Sequence, residues 1–296
     1  MDMKRLFTLS LLTALLFSHL QNIAQTIEIT EKGNYKLKAV AELGFLGALS
    51  HKIQFGNNGT YFDYVQDGGQ DVLFNFVRPS LELQVNERNT YIFLIQPLAL
   101  ESTVYLEEDL IVNDVTFPAT STVDLLYGFP FYRFSYLRKL KASNDKWEWN
   151  LGGTIQIRNA TISFRSTNGE LFRTNRDIGI VPALKFRSKY RVNERSFLEL
   201  EADGIYAPVS YLNGSDNEVV GAILDASLRG GLELTKEVNG FLNLRYLGGG
   251  AVGESDPEDQ EGPGDGYQKN WLHFATVSAR LSYQFVIKKD YAFPFV

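Results

Sequence analysis

Apolar and polar residues alternate with a period of two through most of the chain after residue 30, and helical spacing is almost absent. In 177–192 (DIGIVPALKFRSKYRV), Ile178, Ile180, Pro182, Leu184, Phe186 and Tyr190 share one face. Lys185, Arg187, Lys189 and Arg191 share the other. In 219–234, Leu224, Ala226, Leu228 and Leu232 alternate with Asp225, Ser227, Arg229 and Glu233. In 271–286, Val277, Ala279, Leu281 and Tyr283 alternate with Ser278, Arg280, Ser282 and Gln284. The pattern predicts an all-β chain of about ten strands, near 34–55, 71–85, 89–100, 128–142, 147–165, 177–192, 196–208, 218–235, 240–250 and 271–286. Uncertain boundaries leave eight to twelve strands open.

The connections alternate in length. Residues 86–88, 143–146, 193–195 and 236–240 are short; 56–70, 101–127, 166–176, 209–217 and 251–270 are long. Short turns at one end and long loops at the other is the pattern of an antiparallel up-and-down transmembrane barrel, with the short turns in the periplasm. The tetrapeptide Val-Asn-Glu-Arg occurs twice, at 85–88 and 192–195, each time between alternating runs. Both copies are predicted as tight polar turns, in which Asn tolerates the left-handed backbone that a hairpin needs. A three-residue turn at 193–195 sets Lys189 opposite Glu199, Arg187 opposite Glu201 and Lys185 opposite Asp203. A one-residue slip would turn these charges toward lipid.

Composition sharpens the picture. The 296 residues contain 21 Phe, 15 Tyr and 25 Gly but no Cys, so disulfides and thiolate metal sites are ruled out. A formal charge of −6 argues against a nucleic-acid partner. Lys4 and Arg5 precede the apolar run 6–17, which is too short to span a bilayer as a helix. Residues 1–24 are therefore expected to be a secretory signal peptide, and 25–296 a single barrel domain.

A soluble barrel puts its apolar face inside, where a dozen charges would need costly pairing, whereas a membrane barrel turns its apolar face to lipid and its charged faces to the lumen. Tyr35, Tyr91, Trp147, Trp149, Tyr190, Tyr283 and Phe285 gather near the short-turn end, where an interfacial girdle belongs. Tyr132, Tyr206, Tyr246 and Trp271 form a second belt at the long-loop end. Pro79, Pro97 and Pro182 conflict with a closed wall unless bulges or boundary errors accommodate them. Segment 101–127 contains strand-like runs that suggest a separate hairpin above the membrane.

With its leader, its ten alternating strands and the closing Tyr283 and Phe285, the chain resembles the outer-membrane β-barrel proteins of Gram-negative bacteria. The tail 287–296 departs from their usual terminal aromatic residue. The resemblance implies a place in the outer membrane, contact with membrane lipid and lipopolysaccharide, and handling by the outer-membrane assembly machinery.

Ten-stranded relatives include the omptin proteases, which use paired Asp and an Asp–His couple at the outer rim. Lipid A-modifying barrels use a His with a polar partner. This chain has three His; His19 lies in the leader, and His51 and His273 fall on the lipid-facing parity. No catalytic residue, cofactor or metal is assigned. The lumen charges Lys36, Lys38, Glu42, Arg78, Glu82, Arg133, Arg158, Glu233 and Arg245 lie on the polar faces. The candidate ligand and lumen residues among these faces are Lys185, Arg187, Lys189, Glu199, Glu201, Asp203, Arg229 and Arg280. They read as a plug of ion pairs, since about eight strands leave room only for side chains. The acidic runs 107–109 and 254–266 match no Ca²⁺ motif and read as solvated loops. A structural or surface-binding barrel with acidic outer loops is therefore expected. A narrow channel or small-solute transporter is the alternative, and a lipid- or peptide-modifying enzyme the third reading.

Overall fold

A computed structural model describes residues 35–208, 219–254 and 265–287. The expected leader, the tail after 287 and most of the 254–266 loop lie outside the described residues. The first strand, β1 (Tyr35–Phe55), is followed by the short β2 (Phe62–Asp63), then β3 (Leu73–Val85) and β4 (Asn89–Gln96). An excursion comprises β5 (Ala99–Tyr105), β6 (Leu110–Val112), β7 (Val115–Phe117) and β8 (Thr122–Gly128). The chain returns through β9 (Phe131–Lys139) and β10 (Trp147–Ser166), then β11 (Phe172–Arg191) and β12 (Ser196–Pro208). It ends with β13 (Val220–Glu233), β14 (Val238–Glu254) and β15 (Tyr267–Ile287).

Ten of these strands close a barrel in the order β1-β3-β4-β9-β10-β11-β12-β13-β14-β15, with β15 paired back onto β1 and every neighbour antiparallel. Closure satisfies the backbone groups that an open edge would leave bare in lipid. The outward faces carry exposed apolar side chains from strand after strand, among them Leu43, Phe45, Phe93, Phe134, Leu228 and Val277. A continuous apolar belt of this extent on a soluble protein would be an aggregation surface; around a closed barrel it is the face lipid requires. On one rim of the belt Trp147 stacks on Trp149 and packs against Tyr190, and Tyr91 packs on Tyr136, which forms the expected girdle.

The excursion does not add strands to the barrel. β5 continues the line of β4 beyond Pro97, and β8 leads into β9 across Pro130, while β8 takes over from β9 as the partner of β10. The β6–β7 hairpin at its tip folds over the mouth, where the Asn113 N–H donates to the Phe55 carbonyl at 2.9 Å and the Thr60 N–H to that of Ile111 at 2.8 Å. The flanks of two of the expected long loops, 166–176 and 251–270, are strand. β10 and β11 are joined by residues 167–171 alone, and β14 and β15 run to Glu254 and from Tyr267, because alternation persists beyond the belt.

The two Val-Asn-Glu-Arg turns differ. Asn86 and Glu87 adopt φ of 52° and 57°, the left-handed backbone expected, whereas Asn193 does not. There the Asn193 side-chain carbonyl accepts from the N–H groups of Arg195 at 2.9 Å and Ser196 at 2.8 Å, so the side chain closes the turn.

The prolines also find their reason. Pairing between β3 and β4 ends at Ser80↔Leu94, one residue before Pro79; Pro97 sits in the break between β4 and β5. In β11 the Arg191 N–H points to β10 and the Val192 N–H to Ser196 across the turn to β12. By this alternation the nitrogen of Pro182 faces β12, whose pairing with β11 ends at Leu184↔Gly204. Each proline stands where no ladder bond is lost.

Candidate functional site

The barrel interior has two storeys. In the lower one the charged residues predicted to face inward do so, and they bond across the lumen as well as along the wall. The predicted register of β11 and β12 is observed, with Lys185↔Asp203, Arg187↔Glu201 and Lys189↔Glu199. Lys185 Nζ lies 3.0 Å from Asp203 and 3.1 Å from Glu201. Arg187 bonds Glu201 beside it and reaches Glu82 on β3, across the lumen, at 3.1 Å. Arg229 bonds Glu199 and Glu201, and Arg280 approaches Glu82 at 3.6 Å and Glu42 at 3.8 Å. Lys189 departs from the expected pairing: it faces Glu199 in register, but its ammonium lies 3.9 Å from the centre of the Phe197 ring.

Arg133 binds both Asp203 and Asp225 at 2.8 Å, and Arg245 links Asp225 to Gln96 of the far wall at 2.9 Å. Glu42 accepts from Arg78, Asn243 and Ser278. Asp225 was legible only as one polar position in β13; its place as a hub depends on β9 and β14 meeting there. The space left among Lys38, Glu82, Arg187 and Arg280 is about 30 Å³, room for roughly one or two waters. Buried charges so densely paired stabilise the closed state chiefly by denying one another an unpaired alternative.

The upper storey is apolar and aromatic. Leu46, Phe55, Leu100, Phe117, Phe164 and Phe274 belong to one buried cluster under the β6–β7 cap. His51 belongs to it too, in contradiction to its expected lipid-facing position. A bulge between Ala48 and Ser50 inserts one residue into β1 and turns His51 inward, where it is fully buried. Its Nδ1 bonds Gln70 at 2.7 Å, and its ring stacks on Tyr64. Burial, with Tyr127 beside it, holds the Tyr64 hydroxyl well above its usual pKa. His273 keeps its outward parity and bonds the Tyr246 hydroxyl at 2.6 Å. Neither histidine has an aspartate within hydrogen-bond reach among the described residues.

Beside the cluster lies a cavity of about 620 Å³. Val181 and Pro182 of β11, Ile205 of β12, Ile223 of β13, and Leu247 and Leu272 form its apolar walls; Arg158, Asn175 and Asn270 supply polar groups. Its volume is that of a small-molecule pocket, apolar with a few converging polar groups. Gly179 stands on its wall opposite Arg158, and a Cβ there would meet nothing within 4 Å. Among the described residues no cluster of His, Asp or Glu is arranged to hold a metal ion.

No protein-family model matches the sequence, and no curated protein matches it. The fold is similar to that of the outer membrane protease OmpT from Escherichia coli, with TM-score 0.52 and 11% identity over 87% of this chain and 100% of that one. A FadL homologue from Pseudomonas aeruginosa aligns over 86% of this chain and 90% of its own, at TM-score 0.36 and 8% identity. Ail, the attachment invasion locus protein of Yersinia pestis, aligns over 84% and 99%, at TM-score 0.32 and 8% identity. The OmpT likeness is one of fold: the chain is a closed ten-strand barrel of the outer-membrane type.

Proposed function

We propose that the protein is a non-conducting outer-membrane barrel that holds a small apolar ligand in the outer half of its lumen. Its short turns face the periplasm, and its long acidic connections face outward. The observation that carries this reading is the apolar cavity of about 620 Å³ set above a lower lumen filled with paired charges. A pore would need a continuous wet path, and Arg187–Glu82, Arg133–Asp225 and Arg245–Gln96 each cross it. A purely structural wall would have no use for a roomy cavity beside a tightly packed core.

Two measurements on the refolded barrel test the reading. Planar-bilayer recordings should show no stable unitary current, and the apolar fluorophore N-phenyl-1-naphthylamine should bind with enhanced emission. Gly179→Phe, which fills open space, should abolish that binding while leaving the heat-dependent gel mobility of the folded barrel intact. Steady single-channel steps would favour the channel reading. Absent probe binding in the wild type would leave surface binding by the acidic loops as the better account.

A further inference from the structure

The ligand's class and route are written in one break in the wall. Among the described residues, β11 and β12 pair from Arg191↔Phe197 to Leu184↔Gly204, and 180–183 do not pair with 205–208. Beyond that point β11 stays paired with β10 as far as Phe172, and β12 stays paired with β13 as far as Pro208. The wall therefore parts along a seam between 180–183 and 205–208, just above the paired part of the two strands. Its lips are apolar: Ile178, Ile180 and Leu184 on one side and Tyr206 on the other point outward, each 65–76% exposed. An unpaired strand edge at this depth is tolerable where it borders a cavity, and the cavity lies directly behind it.

Arg158 stands at that cavity as an unmatched cation. The inward-facing Arg78, Arg133, Arg187, Arg229, Arg245 and Arg280 each have a carboxylate within 4 Å. Arg158 has none among the described residues; its Nε is sealed from solvent without a hydrogen-bond acceptor, and its guanidinium lies 5.3 Å from the centre of the Phe129 ring. A sealed guanidinium nitrogen without an acceptor carries a desolvation cost that an incoming anion would offset. Asp177 also borders the cavity but sits exposed toward the outer end.

Building on the apolar-ligand reading above, we infer that the cavity receives a single-chain amphiphile with an anionic head, which enters sideways from the outer leaflet through the β11–β12 seam. The head is held by Arg158 and the chain lies along Val181, Ile223, Leu247 and Leu272. The chain passes between the apolar lips, and the head follows it to Arg158 on the cavity wall.

The test uses cis-parinaric acid and its uncharged methyl ester, read by energy transfer from tryptophan in the refolded full-length barrel. The acid should bind at least roughly tenfold more tightly than the ester, and Arg158→Gln should remove that preference with little effect on the ester. The chain has no Cys, so Val181→Cys with Ile205→Cys places the only thiols on the two sides of the seam. Cross-linking them with a short bis-maleimide should slow uptake of the acid at least roughly tenfold relative to the unlinked double variant, if the seam is the way in. Equal binding of acid and ester in the wild type, a comparison that needs no variant, overturns the anionic head and leaves the apolar cavity standing. Unchanged uptake after cross-linking overturns the lateral route. Failure of both probes to bind overturns the apolar-ligand reading and this inference with it.

Discussion

Lys185 and Asp203 face each other across β11 and β12, with Nζ 3.0 Å from Oδ2, and Arg133 reaches the same oxygen from β9 at 2.8 Å. One carboxylate thus neutralises cations from two directions in a space that excludes water. Asp203→Ala should cost about 3–5 kcal/mol, because it strands buried charge rather than merely deleting a bond. Lys185→Met combined with Asp203→Leu should recover part of that loss. Urea unfolding of the barrel in lipid vesicles, followed by tryptophan emission, measures both. A double variant as unstable as the single one would show that the pair matters for more than mutual neutralisation.

The contact between Arg187 and Glu82 ties walls that are not neighbours in the sheet. Removing both side chains, as Arg187→Ala with Glu82→Ala, takes away matched charge and enlarges the small void between them. The lower lumen should then admit water and ions, and bilayer recordings should show unitary currents absent from the wild type. A silent double variant would place the seal elsewhere, at Arg133 and Asp225 or in the aromatic storey above.

Much of this was legible because a period of two leaves little freedom. Once 193–195 is a turn, Lys185, Arg187 and Lys189 must meet Asp203, Glu201 and Glu199, and the register follows from counting. Counting fails where the period breaks. The extra residue between Ala48 and Ser50 turned His51 from the predicted lipid face into the core, and nothing local announces that bulge. The cavity was hidden for a related reason: it arises where β11 and β12 stop pairing, which is a relation between distant segments. Pro182 was its trace in the sequence, visible as a misfit before its meaning was. Arg158 could be placed in the lumen by parity, but its lack of a partner depends on where every carboxylate falls.

Backbone approach sets a sharper expectation for two glycines. A Cβ on Gly152 would lie 1.8 Å from the Tyr136 carbonyl oxygen, whereas one on Gly179 would meet nothing within 4 Å. Gly152→Ala should force β9 and β10 apart and cost about 1–3 kcal/mol, the range of an overpacked core. Gly179→Ala should leave the urea midpoint nearly unchanged. Equal effects at the two positions would mean that the β9–β10 spacing yields more readily than its pairing suggests.

The repeated Val-Asn-Glu-Arg turns should respond in opposite ways to one substitution. Asn86 has φ of 52°, so Gly there relieves a strained backbone and should be neutral or stabilising, while Asn86→Ala should cost about 1–2 kcal/mol. Asn193 is used for its side chain, which accepts from the N–H groups of Arg195 and Ser196. Asn193→Gly should therefore cost about 0.5–1.5 kcal/mol, and Asn193→Asp, which keeps an acceptor oxygen, should stay near the wild type. Urea midpoints of the four variants decide the matter. If Gly were tolerated equally at both positions, solvent would be replacing the Asn193 acceptor without loss, and the identical tetrapeptides would be interchangeable despite their different backbones.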